Sequence, residues 1–131
     1  MIAVNDHSTI GETFFRAADA YADKSFLAVP ANPARAYDPA GKEITYAEAA
    51  STVRELMQAY SVAGYGVGHR IALLIENRPE HMLHKLAMNA LGVCCVPLNP
   101  DHRLYFGRHH AIFDDHLEFL PALTCRDALR C

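Results

Sequence analysis

The 131-residue chain lacks several features that would assign it to a class of protein at once. It has no apolar run near the ~20 residues that a membrane-spanning helix requires, so we expect no membrane span. Residues 1–6 show no positively charged region followed by an apolar one, so we expect no signal peptide and a cytoplasmic location. Its 12 Lys and Arg residues are scattered and the net charge is −3, which leaves no basic stripe for binding nucleic acid.

The cysteines show neither a disulfide framework nor the spacing of a zinc site. Cys94 and Cys95 are adjacent on a predicted strand, where their side chains point to opposite faces and cannot hold one ion. We therefore interpret them as small apolar residues. Cys125 and Cys131 have no Cys-x2-Cys or His-x3-His spacing around them, which favours free thiols and surface histidines over a metal site. The histidines near them in the tail, which would be the other ligands of such a metal site, are His102, His109, His110 and His116.

A strand–helix–strand pattern is the strongest positive feature of the sequence. The run from Ile71 to Ile75 is too short for a helix and rich in branched residues, as in a strand buried on both faces. Pro79 suits the first turn of a helix, and Gly92 suits its end. A second apolar run follows, so we predict strands at about 71–75 and 93–97. Together these elements predict a parallel βαβ unit with a right-handed crossover.

The sequence before this unit predicts a helix and a hairpin. Thr9 and Glu12 have the spacing of a capping box, with Ser8 as the other candidate cap. A strand at residues 26–29 and a turn-rich segment at 32–42 predict a hairpin that closes at Ile44 and Thr45. The predicted apolar stripe of the helix consists of Ile10, Phe14, Ala17, Ala18 and Tyr21. We expect Phe14 and Phe15 to belong to the core rather than to a ligand pocket.

A second helix is predicted to begin at Thr45, since Glu48 completes another capping box, and to end at Gly64. Gly64, Gly66 and Gly68 follow this helix and precede a strand. A dinucleotide-binding loop has the reverse order, so the glycines are interpreted as a helix-to-strand connection. The predicted buried face of the helix consists of Val53, Leu56, Met57 and Tyr60.

Titratable side chains cluster at the start of the third predicted helix. Glu80 and His84 share a face at a spacing of four residues, and so do His81 and Lys85. An acid–base site is one interpretation of this cluster. We favour a helix face exposed to solvent.

The strings that carry these elements resemble adenylate-forming enzymes, the family of acyl-CoA synthetases, aryl-CoA ligases, luciferases and peptide-synthetase adenylation domains. The matching segments, over roughly residues 8–103, are Thr45-Tyr46-Ala47-Glu48, Glu76-Asn77-Arg78-Pro79-Glu80, Ala90-Leu91-Gly92 and Pro97-Leu98-Asn99-Pro100. The resemblance implies an α/β fold in which residues 1–103 form part of the N-terminal domain. The Asn-Arg-Pro-Glu form leans toward acyl-CoA synthetases, whose full-length members use ATP, Mg and CoA to convert a carboxylic acid into an acyl-adenylate and then a thioester.

The segments that perform this chemistry in the family do not occur in the sequence. Neither the Gly-x-Pro-Lys-Gly phosphate loop nor the Tyr-Gly-x-Thr-Glu segment is found in the 131 residues. We therefore assign no catalytic, cofactor-binding or metal-binding residue, and we expect the chain by itself to be inactive and to hold none of the family's cofactors.

Residues 104–131 do not follow the family pattern and form a divergent tail. Here Ile112, His116, Phe119 and Leu120 predict an apolar helix edge that ends at Pro121. A truncated or frame-shifted gene and simple divergence both account for this tail. Two functions remain open: an inactive N-terminal fragment of an acyl-CoA synthetase, or a non-catalytic interaction module on the same scaffold. A stand-alone nucleotide-binding enzyme is a third and weaker hypothesis. Exposed sheet edges in such a piece would favour self-association.

Overall fold

A computed structural model describes residues 2–98 and 117–118 of the chain. The elements found in these residues are α1 (Ile10–Ala20), β1 (Ser25–Val29), β2 (Lys42–Thr45), α2 (Tyr46–Val62), β3 (Arg70–Leu73), α3 (Pro79–Ala90), β4 (Cys94–Pro97) and β5 (Leu117–Glu118). Strands β1 and β2 form an antiparallel hairpin, and the other three strands form a parallel sheet with the order β4-β3-β5.

The predicted βαβ unit is confirmed. Strand β3 pairs with β4 in parallel, from Arg70 opposite Cys94 to Leu73 opposite Pro97, and α3 connects the two strands. The predicted strand at 71–75 is two residues too long at its end. Leu73 accepts the last ladder hydrogen bond, from the amide of Leu98 at 2.9 Å, and the chain then turns toward α3.

The predicted helix starts are also confirmed, because each rests on a local hydrogen-bond pattern. In α1 the Thr9 hydroxyl accepts from the Glu12 amide and the Glu12 carboxylate accepts from the Thr9 amide, both at 3.2 Å. Thr45 and Glu48 form the same reciprocal pair at the start of α2. Pro79 occupies the first turn of α3, where its missing N–H costs nothing. Gly92 follows α3 with a φ of 72°, the left-handed geometry that favours glycine.

The core lies between the helices and the parallel sheet. Its largest fully buried side chains are Ile71, Met88 and Val53. The other buried members of the core are Phe14, Ala18, Ile44, Ala49, Ala50, Tyr60, Leu73, Leu83, Leu86, Ala87 and Val93.

The predicted apolar stripe of α1 is wrong at one position. Ile10 is 63% exposed, whereas Phe14 and Ala18 are buried as expected. The reason is the close approach of α1 to α3 at Gly11, where an added Cβ would lie 2.8 Å from Cα of Ala90. The buried face of α1 is therefore centred on Gly11, and Ile10, the preceding residue, turns away from α3.

The described part of the tail forms a strand. Leu117 and Glu118 pair in parallel with Arg70 and Ile71 of β3. The predicted helix through this region is therefore wrong at these two residues, because β3 offers its free edge and the tail adds a strand to it. The residues that defined that helix edge, Ile112, His116, Phe119, Leu120 and Pro121, lie outside the described residues.

Candidate functional site

The region around the first turn of α3 is the natural place to look for a site. In open parallel sheets, ligands bind beyond the carboxyl ends of the strands. Here the chain leaves β3 at Leu73, turns through residues 74–78 and enters α3 at Pro79. The loop of the β1–β2 hairpin lies on one side of this turn, since the Tyr37 hydroxyl donates a 3.1 Å hydrogen bond to the carbonyl of Asn77.

Arginine and tyrosine side chains hold the hairpin loop against this turn. The guanidinium carbon of Arg78 lies 4.3 Å from the centre of the Tyr37 ring, and that of Arg35 lies 4.9 Å from it. Arg78 also forms a 2.9 Å ion pair with Glu76. This pair is exposed and contributes little stability, so the stacking and the Tyr37 hydrogen bond are the significant contacts.

Arg35 serves the loop itself. Its guanidinium donates to the carbonyls of Tyr37 at 2.8 Å, Pro30 at 2.7 Å and Asp38 at 2.7 Å. A guanidinium that already satisfies three backbone acceptors is committed to loop structure. We therefore do not regard Arg35 as a ligand-binding residue.

A cavity of about 220 Å³ opens on the other side of the first turn of α3. It lies between β2, α2 and α3. Ile44, Leu56 and Leu83 form its apolar floor. The polar residues of its wall are Lys42, Glu43, Glu48, Thr52, Glu80 and His84.

His84 corrects the prediction of a helix face exposed to solvent. It is only 8% exposed, and its Nδ1 lies 2.8 Å from the hydroxyl oxygen of Tyr60 on α2. Burial lowers the pKa of His84, Glu80 raises it, and His81 lowers it further. Burial raises the pKa of Tyr60, with a smaller contribution from Cys95. A neutral imidazole therefore faces a protonated tyrosine inside the molecule.

The other members of the predicted cluster differ in their surroundings. Lys85 is exposed and His81 is half-buried. Burial, followed by the charge of Lys85, lowers the pKa of His81. Glu80 is half-buried, and its Oε2 is inaccessible to solvent and has no hydrogen-bond partner in the described structure. Its position in the first turn of α3 is favourable to a negative charge.

One of the other two carboxylates of the cavity wall, that of Glu48, has a structural role. Glu48 belongs to the capping box of α2, and its hydrogen bonds with the backbone and side chain of Thr45 lower its pKa. Thr52 is similarly engaged, since its hydroxyl donates to the Glu48 carbonyl at 3.1 Å. Among the polar side-chain atoms of the wall, Glu80 Oε2 is the one in the described residues that is buried without a hydrogen-bond partner.

The other candidates from the sequence do not form a site among the described residues. Gly64, Gly66 and Gly68 lie between α2 and β3, as predicted for a connection, and do not begin a helix. Phe14 is buried against Phe15 and Phe26, with ring centres 5.3 and 5.2 Å away, so the predicted core role is confirmed.

The two adjacent cysteines differ in exposure, as expected for opposite faces of a strand. Cys94 is exposed and Cys95 is half-buried, and both are free thiols. In the part of the chain that the structure describes, no three His, Cys, Asp or Glu side chains converge in a metal-binding group. The tail candidates Cys125, Cys131, His102, His109, His110 and His116 lie outside that part.

The chemistry available at the first turn of α3 is that of binding. Glu80 and His84 line the cavity together with the apolar side chains of Ile44, Leu56 and Leu83. The described glycine-rich segment follows a helix, whereas a phosphate cradle requires a loop that begins one. Among the described residues, no glycine-rich loop begins a helix, so none of them forms such a cradle.

Residues 14–111 match the family of AMP-binding enzymes. This chain belongs to that family. The match includes the hairpin, the βαβ unit and the turn that carries Arg78. No curated protein matches the sequence.

Solved structures share this fold. The N-terminal subdomain of Klebsiella oxytoca NpsA in complex with 3-hydroxybenzoyl-AMSN is 22% identical over 80% of this chain, with a TM-score of 0.64. An artificially fused adenylation–PCP di-domain, NpsA-ThdA from the same organism, is 23% identical over 72% of this chain, with a TM-score of 0.59. A protein assigned as a long-chain-fatty-acid CoA ligase from Rhodopseudomonas palustris CGA009 is 20% identical over 72%, with a TM-score of 0.60.

The family member described here is much shorter than these proteins. It covers 25%, 16% and 21% of their respective lengths, so it spans a quarter or less of each. Within the described residues, no helix has both the length and the apolar character needed to cross a membrane.

Proposed function

We propose that this chain is the N-terminal α/β part of an AMP-forming acid–thiol ligase of the acyl-CoA synthetase type. The observation that carries the proposal is the family match over residues 14–111, which includes the Asn-Arg-Pro-Glu turn between β3 and α3. The full enzyme would activate a carboxylic acid with ATP and Mg, then transfer the acyl group to CoA. We also propose that residues 1–103 form the family-like part and that residues 104–131 form the divergent tail.

The assignment to the acyl-CoA synthetase type is narrower than membership of the family. Two facts support it. The turn has an arginine between Asn77 and Pro79, the form that leans toward these enzymes. A neighbour assigned as a fatty-acid CoA ligase shares the fold, although at 20% identity. Adenylation domains share it equally well, so the thiol acceptor needs its own test.

The isolated 131 residues should not catalyse adenylate formation. Phosphate chemistry of this kind depends on positioning and charge stabilisation by groups placed around the phosphates. The Gly-x-Pro-Lys-Gly loop that provides them in the family does not occur in the sequence. What the chain contributes in this proposal is the scaffold: a parallel sheet, and after β3 a turn that Tyr37 and Arg78 hold against the hairpin loop.

Carboxylate-dependent exchange of pyrophosphate into ATP tests this proposal. We expect the purified chain, with ATP, Mg and a panel of fatty and aromatic acids, to show no exchange above a blank without protein. A full-length adenylate-forming enzyme serves as the positive control. Exchange above the blank that depends on both the chain and an acid would contradict the proposed inactivity.

The genomic DNA downstream of codon 131 separates the ligase proposal from the interaction-module alternative. A Gly-x-Pro-Lys-Gly loop encoded there, in any reading frame, supports descent from the ligase. If no such loop is found, an interaction module becomes the better account of the chain.

A further inference from the structure

Within the described residues, one side-chain hydrogen bond joins α2 to α3, and it depends on a titratable group. Nδ1 of His84 on α3 lies 2.8 Å from the hydroxyl oxygen of Tyr60 on α2, and both side chains are buried. No other acceptor for the Tyr60 hydroxyl is found among the described residues, so the hydroxyl donates and the neutral imidazole accepts. The bond therefore requires Nδ1 of His84 to be free of a proton.

Protonation of His84 removes the acceptor of this bond. Both ring nitrogens of a charged imidazole are donors, so the proton of the Tyr60 hydroxyl loses its partner. A buried charge also needs a counter-charge, and Tyr60 supplies none, because burial and then Cys95 raise the pKa of its phenol and keep it neutral. The link between the two helices thus belongs to the neutral form of His84.

Glu80 is placed to receive the charged imidazole. It precedes His84 by four residues on α3, so the two side chains are neighbours on one face of the helix. Oε2 of Glu80 is buried without a hydrogen-bond partner in the described structure, and such an atom requires an explanation. Burial lowers the pKa of His84 and the charge of Glu80 raises it, so the carboxylate is close enough to act on the ring.

The other titratable groups around His84 offer no better counter-charge. His81 lowers the pKa of His84 and cannot neutralise a cation. Strand β1 contains no titratable residue, and the buried residues of α1 are apolar. The remaining titratable groups that line the cavity or act on these side chains are Lys42 and Glu43 of β2, Glu48 of α2, Lys85 of α3 and Cys95 of β4. Of their two carboxylates, that of Glu48 is bound to Thr45 and that of Glu43 is exposed to water.

We propose that His84 is an acid-sensitive switch between α2 and α3. The neutral imidazole holds α3 to α2 through Tyr60, and the protonated imidazole turns away from Tyr60 and pairs with Glu80 inside α3. The cavity of about 220 Å³ beside both residues of α3 leaves the ring room to turn. The switch does not rest on the proposed ligase function, because every group in it belongs to the described residues.

Ring ¹H–¹⁵N spectra of the ¹⁵N-histidine-labelled chain, recorded from pH 8 to pH 4, follow the switch. At pH 8 we expect a ring protonated at Nε2 alone, with nuclear Overhauser contacts between the rings of His84 and Tyr60. Since burial lowers the pKa of His84, protonation should occur below about pH 6.5, the usual value. The contacts with Tyr60 should then disappear while the circular dichroism of the helices is retained.

Three results of this titration would overturn the proposal. The first is contact between the two rings that persists after His84 is protonated. The second is a ring that stays neutral down to pH 4. The third is unfolding of the chain before His84 is protonated, since the charged imidazole would then have no partner in the folded state.

A matched pair of variants identifies the new partner. Glu80→Gln keeps the shape of the side chain, and we expect it to lower the titration midpoint of His84 by about one pH unit, since an opposite charge at this range favours the protonated ring. Glu43→Gln removes the exposed carboxylate of the same cavity wall and should shift the midpoint much less. An unchanged midpoint in Glu80→Gln, or equal shifts in the two variants, would refute the pairing.

Tyr60→Phe tests the other state of the switch. Loss of the hydroxyl removes the hydrogen bond to the neutral imidazole, so the titration midpoint of His84 should rise. A midpoint that stays the same or falls would show that Tyr60 does not hold the neutral form, and it would overturn the proposal.

Discussion

His84 is a buried, titratable side chain near the middle of α3. It lies between the hydroxyl of Tyr60 on one side and the cavity that contains Glu80 on the other. Burial favours the neutral imidazole more strongly than Glu80 favours the charged one, so the pKa of His84 is lowered. The protonation of this one residue is therefore coupled to the stability of the contact between α2 and α3.

We expect the free energy of unfolding to decrease as the pH falls below about 6.5, the usual pKa of histidine. In this range the unfolded chain binds a proton at residue 84 while the folded chain does not, and proton binding by the unfolded state lowers stability. His81, whose pKa is also lowered, adds to the effect in the same direction. Urea unfolding midpoints at pH 7.5 and 5.5 measure the change.

Replacement of His84 identifies the source of this pH dependence. His84→Gln should reduce the difference between the two midpoints, whereas His7→Gln, a change at an exposed histidine, should leave it intact. Glu48, whose pKa is lowered from 4.5, loses its contribution only in more acidic solution and does not interfere in this range. An equal pH dependence in the His84→Gln variant would contradict the prediction.

The packing of α1 against α3 depends on a single glycine. An added Cβ at Gly11 would lie 2.8 Å from Cα and 2.9 Å from Cβ of Ala90. The backbone of a packed helix cannot shift without loss of other contacts. We therefore expect Gly11→Ala to destabilise the protein by about 1–3 kcal/mol. Chemical denaturation measures the difference.

Gly66→Ala is the matched control for this substitution. Gly66 does not have a positive φ, and nothing lies within 4 Å of an added Cβ. Alanine there should be neutral or stabilise by a few tenths of a kcal/mol, because it restricts the unfolded chain. If both variants lose the same stability, the contact between α1 and α3 is not as tight as the structure indicates.

The βαβ unit should be the most stable element. Leu86 of α3 is 7% exposed, and we expect Leu86→Ala to cost about 2–5 kcal/mol because a cavity is left in the core. Met82 on the same helix is 42% exposed, so Met82→Ala should change stability by less than about 1 kcal/mol. Hydrogen exchange should find slow amides in β3 and β4, and rapid exchange there would show that the stable core lies elsewhere.

At the scale of the whole molecule, the chain presents features that favour self-association. Strand β4 is an edge strand in the described sheet, and edge strands pair readily with other chains. Several large apolar side chains are also exposed: Val4, Ile10, Val62, Val67 and Met82. We expect sedimentation velocity under reducing conditions to show oligomers whose share rises with protein concentration.

A charge placed on β4 tests whether its exposed edge causes the self-association. Cys94 is exposed on β4, and Cys94→Lys should lower the share of oligomers, since lysine on an edge discourages pairing. Ser61→Lys makes the same change of charge on the exposed surface of α2 and should have little effect. A strictly monomeric wild-type chain at all concentrations would show that the exposed edge does not associate.

The sequence alone determined the features that depend on neighbouring residues. Thr9 and Thr45 were predicted as helix caps because a capping box forms between residues three apart, whatever surrounds it. Pro79 and Gly92 marked the ends of α3 because their backbone preferences act locally. The parallel βαβ unit followed, since two buried strands joined by a helix have few other arrangements.

Only the tertiary structure decided the cavity and the roles of its residues. The four-residue spacing of Glu80 and His84 is the same on a buried face as on an exposed one, so spacing could not reveal that α2 covers His84. One signal was available: Tyr60 was predicted to be buried, and a buried hydroxyl needs a partner. Which residue supplies it, and which carboxylate is left without one, depends on how α2, α3 and β2 meet, and contacts between distant segments are set by packing rather than by local sequence.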